Sequence, residues 1–216
     1  MNETAMQCPL CHTSASAYAT YRLYDYYTCS ECQGVFMDPS QHLSPEQERS
    51  EYLTHENDVN DLRFQQYVMP VVDLITEEQG PEGEGLDFGA GFAPVITRML
   101  EDRGYHLNLY DPFFHPDTTA LHRTYDFIVA CEVIEHLYHP QETFLHLFSL
   151  LKHGGTLYCR TSLLTDTIDF NQWHYRKEAT HVFFYRPQTI HYLAQMIEGM
   201  QCSIISPTLC LFRKAV

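Results

Sequence analysis

A single stretch, Gly85-Leu86-Asp87-Phe88-Gly89-Ala90-Gly91-Phe92-Ala93-Pro94, constrains the fold more than any other part of the chain. Leu86-Asp87-Phe88 reads as the end of a short strand. Gly89 and Gly91 let the backbone turn tightly and approach a ligand with no Cβ in the way. Pro94 suits the first position of a helix, and Val95, Ile96, Met99 and Leu100 recur at helical spacing. Strand, glycine turn and helix are the order in which an α/β sheet presents a nucleotide-like ligand to a helix N-terminus. A phosphate-binding loop would continue into Gly-Lys-Ser/Thr, and none follows. A dinucleotide fingerprint would put glycine where Pro94 stands. A plain strand-to-helix connection is the alternative.

The rest of the chain narrows the choice. At 216 residues it holds one α/β domain and a small appendage. A hydrophobic content of 44% can bury a core. The net charge of −15, with 13 Lys and Arg, argues against a protein that works on phosphate backbones. No apolar run approaches the roughly 20 residues of a membrane span. No basic-apolar-small signal order opens the chain, and the cysteines read as metal-spaced thiols. The expected compartment is a reducing cytoplasm.

Cys8-Pro9-Leu10-Cys11 is followed, after a gap long enough for one hairpin, by Cys29-Ser30-Glu31-Cys32. Each pair can offer two thiolates from one tight turn, and two turns complete a tetrahedron. Gly34 follows where a turn needs a positive φ, and Tyr18–Thr28 reads as a β-hairpin. The segment resembles a zinc ribbon. Disulfide pairing or four unrelated thiols are the alternatives. Four sulfurs close the coordination shell, so the zinc expected here is structural.

Residues 38–83 read as a helical connection. Ser44-Pro45-Glu46-Gln47 carries the marks of a helix start with a capping box. A second helix runs through Leu62, Tyr67, Val68, Val71, Val72 and Ile75, with Pro70 expected to kink or split it. Residues 77–85 read as an acidic, glycine-rich loop. The Tyr52–Asn57 run is either a solvated helix end or, with His55 and Asn57, a lid over a ligand.

Beyond the glycine turn, His106–Asp111 is a second strand. Asp111 follows Gly91 at the interval where a carboxylate of a nucleotide-binding domain meets ribose hydroxyls. Pro112-Phe113-Phe114 follows and could pack on a base. The interval from Asp111 to Asp126 is short, and it leaves room for a reduced helix and a short edge strand near 120–123. Tyr125–Cys131 is a buried parallel strand, ending in Glu132-Val133-Ile134-Glu135-His136. Gln141–Lys152 is a core-facing helix, with Gly154 and Gly155 expected to end it and open the next strand. Asn171–Arg176 and Thr180–Tyr185 form a polar-aromatic insertion. A helix from Pro187 through Met200 and an antiparallel hairpin, Cys202–Ser206 with Leu209–Arg213, complete the chain. Cys131, Cys159, Cys202 and Cys210 read as buried thiols.

Taken together, acid-x-Gly-x-Gly-x-Ala at 87–93 resembles motif I of the class I S-adenosylmethionine-dependent methyltransferases. The run YDFIVACEVIEHLYHP is similar to motif IV of the ubiquinone-biosynthesis type, and Lys152–Tyr158 resembles their "LKPGG" turn. The resemblance covers about residues 84–216. It implies a Rossmann-like seven-stranded α/β sheet with its last strand antiparallel. It implies cofactor contacts from Asp87, Gly89, Ala90, Gly91, Asp111, Pro112, Phe113 and Glu132. The insertion resembles segments after the fifth strand in bacterial methyltransferases, which makes His174, Tyr175 and His181 candidates for a substrate wall. Proton transfer by His136 or another histidine is an expectation. The architecture expected is a zinc ribbon over 1–37 held by Cys8, Cys11, Cys29 and Cys32, a linker or lid over 38–83, and a methyltransferase domain over 84–216. The implied partners are S-adenosylmethionine and a small-molecule or carrier-bound acceptor, methylated on oxygen or carbon. An RNA-base methyltransferase, which the acidity disfavours, and a non-catalytic cofactor-binding scaffold are the competing readings.

Overall fold

The computed structural model describes residues 6–54 and 58–216. His55, Glu56 and Asn57 lie outside the described residues, so the lid expectation is answered only through its neighbour Tyr52. The chain opens with three antiparallel strands, β1 (Ala15–Tyr21), β2 (Tyr24–Cys29) and β3 (Val35–Met37), which include the expected hairpin. The positive φ expected at Gly34 falls instead on Gln33, at 61°. Helix α1 (Pro45–Thr54) begins at a reciprocal cap. The Gln47 amide N–H donates to Ser44 Oγ at 3.3 Å, and Ser44 N–H donates to Gln47 Oε1 at 2.9 Å.

Helix α2 (Leu62–Glu78) runs unbroken through Pro70, so the expected split does not occur. One lost backbone bond is offset by the full burial of Val68, Val71, Val72 and Ile75 along one face. The same burial carries the helix into the stretch read as a loop from 77 onward.

The main sheet contains β4 (Glu84–Phe88), β5 (His106–Tyr110), β6 (Tyr125–Cys131) and β7 (Leu151–Arg160), with helices α3 (Val95–Glu101) and α4 (Pro140–Leu150) between them. Strand β8 (Phe183–Phe184) belongs elsewhere. Helix α5 (Pro187–Gln195) and strands β9 (Met200–Ser206) and β10 (Leu209–Lys214) finish the fold. The order is β5-β4-β6-β7-β10-β9. The first four strands are parallel, and β10 inserts antiparallel between β7 and β9.

The sheet has six strands, not the expected seven. Thr118–His122 winds into a 3-10 turn where the edge strand was expected, because Asp117 caps Thr119 N–H at 2.9 Å and only Ala120 is buried. Helix α3 starts at Val95, with Pro94 as its cap. Gly154 and Gly155 sit inside β7, since the helix has already ended at Leu150. Helix α5 stops at Gln195, short of Met200, which opens β9.

Alternation along β6 divides the core. Phe127 and Val129 pack under α2 and α3, whereas Ile128 and Ala130 face α4. Cys8, Cys29 and Cys32 pack in the same cluster as Phe36, Phe144 and Phe183. The N-terminal sheet reaches further. Its order is β1-β2-β3-β8, with Val35 paired to Phe184 and Phe36 to Phe183. The insertion therefore lends a strand to the cysteine segment. Cys159 and Cys210 are buried as expected, while Cys131 and Cys202 are partly exposed. Among the described residues no helix is long and apolar enough to cross a membrane.

A methyl group on Gly34 would stand inside the van der Waals envelope of the Phe183 ring, which is fully buried. Gly34→Ala should therefore destabilise the β3–β8 seam by about 1–3 kcal/mol, the usual cost of overpacking. Thermal or urea denaturation of the two proteins reads this directly. Equal stability would show that the seam yields freely.

Candidate active site

A cavity of about 560 Å³ opens at the carboxyl ends of β4, β5 and β6, where ligands of open α/β sheets bind. One side is the glycine turn. Gly89 and Gly91 hold φ of 76° and 66°, a region that favours glycine. Val133 would block a Cβ on Gly89, whereas a Cβ on Gly91 would meet open space. Gly91 is thus the point where backbone is bared toward the cavity. Gly89 and Ala90 N–H groups donate to Tyr110 O at 2.8 and 3.1 Å.

Asp111 is buried and organises this turn. Its Oδ2 accepts from Gly91 N–H at 3.0 Å, and its Oδ1 accepts from Phe113 and Phe114 N–H at 2.8 and 3.0 Å. A carboxylate has about four acceptor sites, so about one remains for a ligand. Asp87 lies deeper. Its Oδ2 accepts from Thr97 Oγ1 at 2.7 Å, and burial pushes its carboxyl up to about 6. Pro112, Phe113 and Phe114 line the cavity beside Phe88 and Tyr110, which stack with centroids 5.5 Å apart.

The opposite side is built by β6 and the insertion. Glu132 has φ of 52°, an uncommon conformation for a non-glycine residue, directly after the strand. Its Oε1 accepts from Tyr67 Oη at 2.8 Å and its Oε2 from Tyr175 Oη at 3.1 Å. Arg160 lies with its guanidinium carbon 3.9 Å from the Tyr67 ring centroid and its Nε 3.9 Å from Glu132. The Tyr175 hydroxyl also reaches Glu135 Oε1 at 2.5 Å. One phenol proton serves two carboxyls. Burial, then the neighbouring Glu132 charge, pushes Glu135 up to about 8.

His136 and His181 meet edge to face with ring centroids 4.7 Å apart. His136 Nδ1–H donates to Thr180 O at 2.9 Å, and His181 Nδ1–H donates to Tyr175 O at 2.6 Å. Carbonyls only accept, so both rings carry Nδ1–H, and their Nε2 atoms stand 3.9 and 4.0 Å from Glu135 Oε1. His174 lines the cavity from an exposed position on the 3-10 turn His174–Lys177. Tyr52 closes the wall from α1. Its ring lies 5.4 Å from His136 and 5.7 Å from Phe113, and its hydroxyl donates to the buried Glu48 at 2.7 Å.

The structure thus brings His136, His174, His181 and Tyr175 to the same cavity as the glycine turn. Tyr67 and Glu48 were not foreseen as site residues. The α2 periodicity marked Tyr67 only as part of an apolar face. Its phenol among valines was the signal that this face meets something polar.

The cysteines form a second centre away from the cavity. Cys8 and Cys32 sulfurs are 3.6 Å apart, Cys11 and Cys29 3.3 Å, and all four lie within 4.8 Å of one another. Thiolates around a tetrahedral zinc ion stand about 3.8 Å apart, given zinc–sulfur bonds of about 2.3 Å. The donor set and its spacing fit that ion.

Comparison with known proteins agrees with this geometry. A family profile described as a methyltransferase domain matches residues 59–198. The chain therefore belongs to the methyltransferase domain family, and its class is the S-adenosylmethionine-dependent methyltransferases. No curated protein matches it. A 1,6-didemethyltoxoflavin-N1-methyltransferase from Burkholderia thailandensis, solved with S-adenosylhomocysteine, is similar at a TM-score of 0.56 and 12% identity, covering 94% of this chain and 100% of that one. The magnesium protoporphyrin IX methyltransferase of Synechocystis PCC 6803 is similar at 0.54 and 14%, covering 79% and 94%. Against an O-methyltransferase family protein from Burkholderia thailandensis the values are 0.47 and 14%, with 69% of this chain matching 56% of that one.

A raised carboxyl binds its proton more tightly in the folded state, so Asp87 makes the fold less stable as pH rises from about 4 to 6. Asp87→Asn removes this penalty. The stability of the variant relative to wild type should rise across that window by a term on the order of 3 kcal/mol, from a shift of about two units. Urea midpoints at pH 4 and pH 7 measure it. A constant difference would mean that Asp87 is ionised with no burial penalty.

Proposed function

We propose that the chain transfers a methyl group from S-adenosylmethionine to a small-molecule or carrier-bound acceptor, on oxygen or carbon. The observation that carries this reading is the bared Gly91 facing a wall of His136, His174, His181 and Tyr175 across one cavity. The backbone of 89–91 and the remaining acceptor site of Asp111 would hold the nucleoside. Ala90, Pro112 and Phe113 would border the adenosine, and Glu132 the methionine end. Asp87 would act from beneath, through the turn and Thr97.

Charge supports the assignment. Glu48, Asp87, Asp111, Glu132 and Glu178 line the cavity, and no Lys or Arg does so among the described residues. A cofactor that brings a sulfonium and an ammonium group suits such a site, and a polyphosphate does not. Reaction would be an in-line displacement at the methyl carbon, for which the protein supplies proximity and orientation. A histidine of this wall would take a proton from an acceptor hydroxyl or acidic carbon. Zinc on Cys8, Cys11, Cys29 and Cys32 would be structural, and the reduced thiols fit a cytoplasmic setting.

Calorimetry with S-adenosylhomocysteine tests the cofactor site. Wild type should bind, and Asp111→Ala should bind at least about tenfold more weakly, a loss of roughly 1.4 kcal/mol or more. No binding by the folded wild type would remove the reading and favour a scaffold.

Zinc is tested separately. Chelation should lower the unfolding temperature, because three of the four cysteines sit in the main core. Cobalt grown into the protein should show the intense absorption of a thiolate site. Unchanged stability after verified metal removal would rule out a structural ion.

A further inference from the structure

We propose that Glu135, His136 and His181 form a binding site for a divalent first-row metal ion at the acceptor end of the cavity, separate from the four-cysteine centre. Their candidate ligand atoms all lie within 4.8 Å of one another. Glu135 Oε1 stands 3.9 Å from His136 Nε2 and 4.0 Å from His181 Nε2. These spacings are too long for direct hydrogen bonds. They match ligands that each stand about 2.1 Å from a shared ion, which are roughly 3–4 Å apart at ordinary coordination angles.

The surroundings hold the three groups in ligand orientation. Glu135 and His136 are adjacent on the 3-10 turn Ile134–His136, and His181 arrives from the segment before β8. Val182 N–H donates to Glu135 O at 2.9 Å and locks the two segments together. Both imidazoles donate Nδ1–H to backbone carbonyls, which turns Nε2 of each toward the carboxyl. This is the outer arrangement usual for metal-bound histidines. The second observation is Glu135 itself. Its side chain is fully buried, and Oε2 has no hydrogen-bond partner among the described residues. A buried carboxylate oxygen left so is costly. No Lys or Arg pairs with Glu135 among the described salt bridges, and the nearby Arg160 is directed at Glu132. A cation between Glu135 and the two imidazoles supplies the missing charge.

Two imidazoles and one carboxylate leave coordination positions open, unlike four thiolates. Both histidines line the cavity, so an open position faces the acceptor. This part rests on the methyltransferase reading. An acceptor hydroxyl on the ion would release its proton to solvent water more readily. The oxygen then forms the O–CH3 bond as the S–CH3 bond breaks, and that electron pair stays on sulfur, giving the neutral thioether. The site therefore favours oxygen over carbon as the atom methylated.

The test counts metal. Purified full-length protein is dialysed to equilibrium against Mn2+, and elemental analysis totals all metals per chain. Wild type should hold two. His181→Ala and Glu135→Gln should each hold one, with affinity for the second ion lowered beyond the roughly 10–100-fold that loss of an outer partner costs. Glu135→Gln keeps the shape beside Tyr175, and S-adenosylhomocysteine affinity reports whether either variant is folded. A wild-type count of one, or a count of two that both variants keep, overturns the site. Calorimetry on wild type separates the readings. If the cofactor binds but the second metal does not, only this inference falls. If the metal binds and the cofactor does not, the methyltransferase reading falls and the metal site stands.

Discussion

The pairing of Val35 and Phe36 with Phe184 and Phe183 ties the molecule together. It is only two residues long on the β8 side, yet it joins the cysteine segment to the insertion that walls the cavity. Phe183 faces the main core beside Phe36 and Tyr185, and Phe184 faces the opposite cluster with Tyr26, Trp173 and Tyr175. Full burial of each phenylalanine is worth about 1.5–3 kcal/mol. So short a run of backbone pairing could not hold a loop of this length alone. Its two rings, buried on both faces of the small sheet, can. Arg176 adds a second anchor. It is buried, donates to Phe170 O and Asn171 O, and lies over the Tyr21 ring of β1. The carbonyls and the ring face offset the desolvation of its charge.

This anchoring explains why Tyr175 and His181 can be placed finely although they sit outside the regular sheet. His181 and Val182 directly precede β8. Met37 N–H donates to Val182 O, and Val182 N–H to Glu135 O, both at 2.9 Å. A chain of backbone bonds thus runs from β3, through the insertion, to the turn after β6. The cofactor side is independent of it. The glycine turn is held by Tyr110 O and Asp111, both from β5 and its end. The cavity therefore has two walls, one held by the ends of β4 and β5 and one by the end of β6 together with the insertion that the N-terminal sheet anchors.

For both walls the residues were legible in the sequence, but the support of the second wall was not, for physical reasons. Asp87, Gly89, Gly91 and Asp111 act through local turns and strand ends, so spacing carries their meaning. The run from Tyr125 to His136 is likewise contiguous, and its apolar stretch marks a buried parallel strand. The cysteine spacing was equally clear. The β3–β8 seam joins residues from opposite ends of the chain through two side chains, and no periodicity announces a strand that short. The missing seventh strand turned on the brief interval between Asp111 and Asp126, which could bend either way. Asp117 decided it by capping a 3-10 turn. The histidines were singled out by residue type, but their convergence on Glu135 depends on the fold and on two backbone carbonyls.

The electrostatic contrast between the walls gives the site its logic. Asp111 accepts hydrogen bonds from three backbone N–H groups. Glu132 draws on Tyr67 and Tyr175, with Arg160 at longer range. Glu135 shares the same Tyr175 proton, and its Oε2 has no hydrogen-bond partner among the described residues. Compensation of the three carboxyls thus falls from the glycine-turn wall toward the insertion, where Glu135 lies behind the cavity lining. Under the proposed function a cationic cofactor would address the first two. It does not address Glu135, which sits behind the histidines with no exposed surface. Whatever neutralises Glu135 must come from the acceptor side. A metal ion held by Glu135, His136 and His181 would supply that charge and fix both imidazoles at once, which the shared Tyr175 proton cannot do.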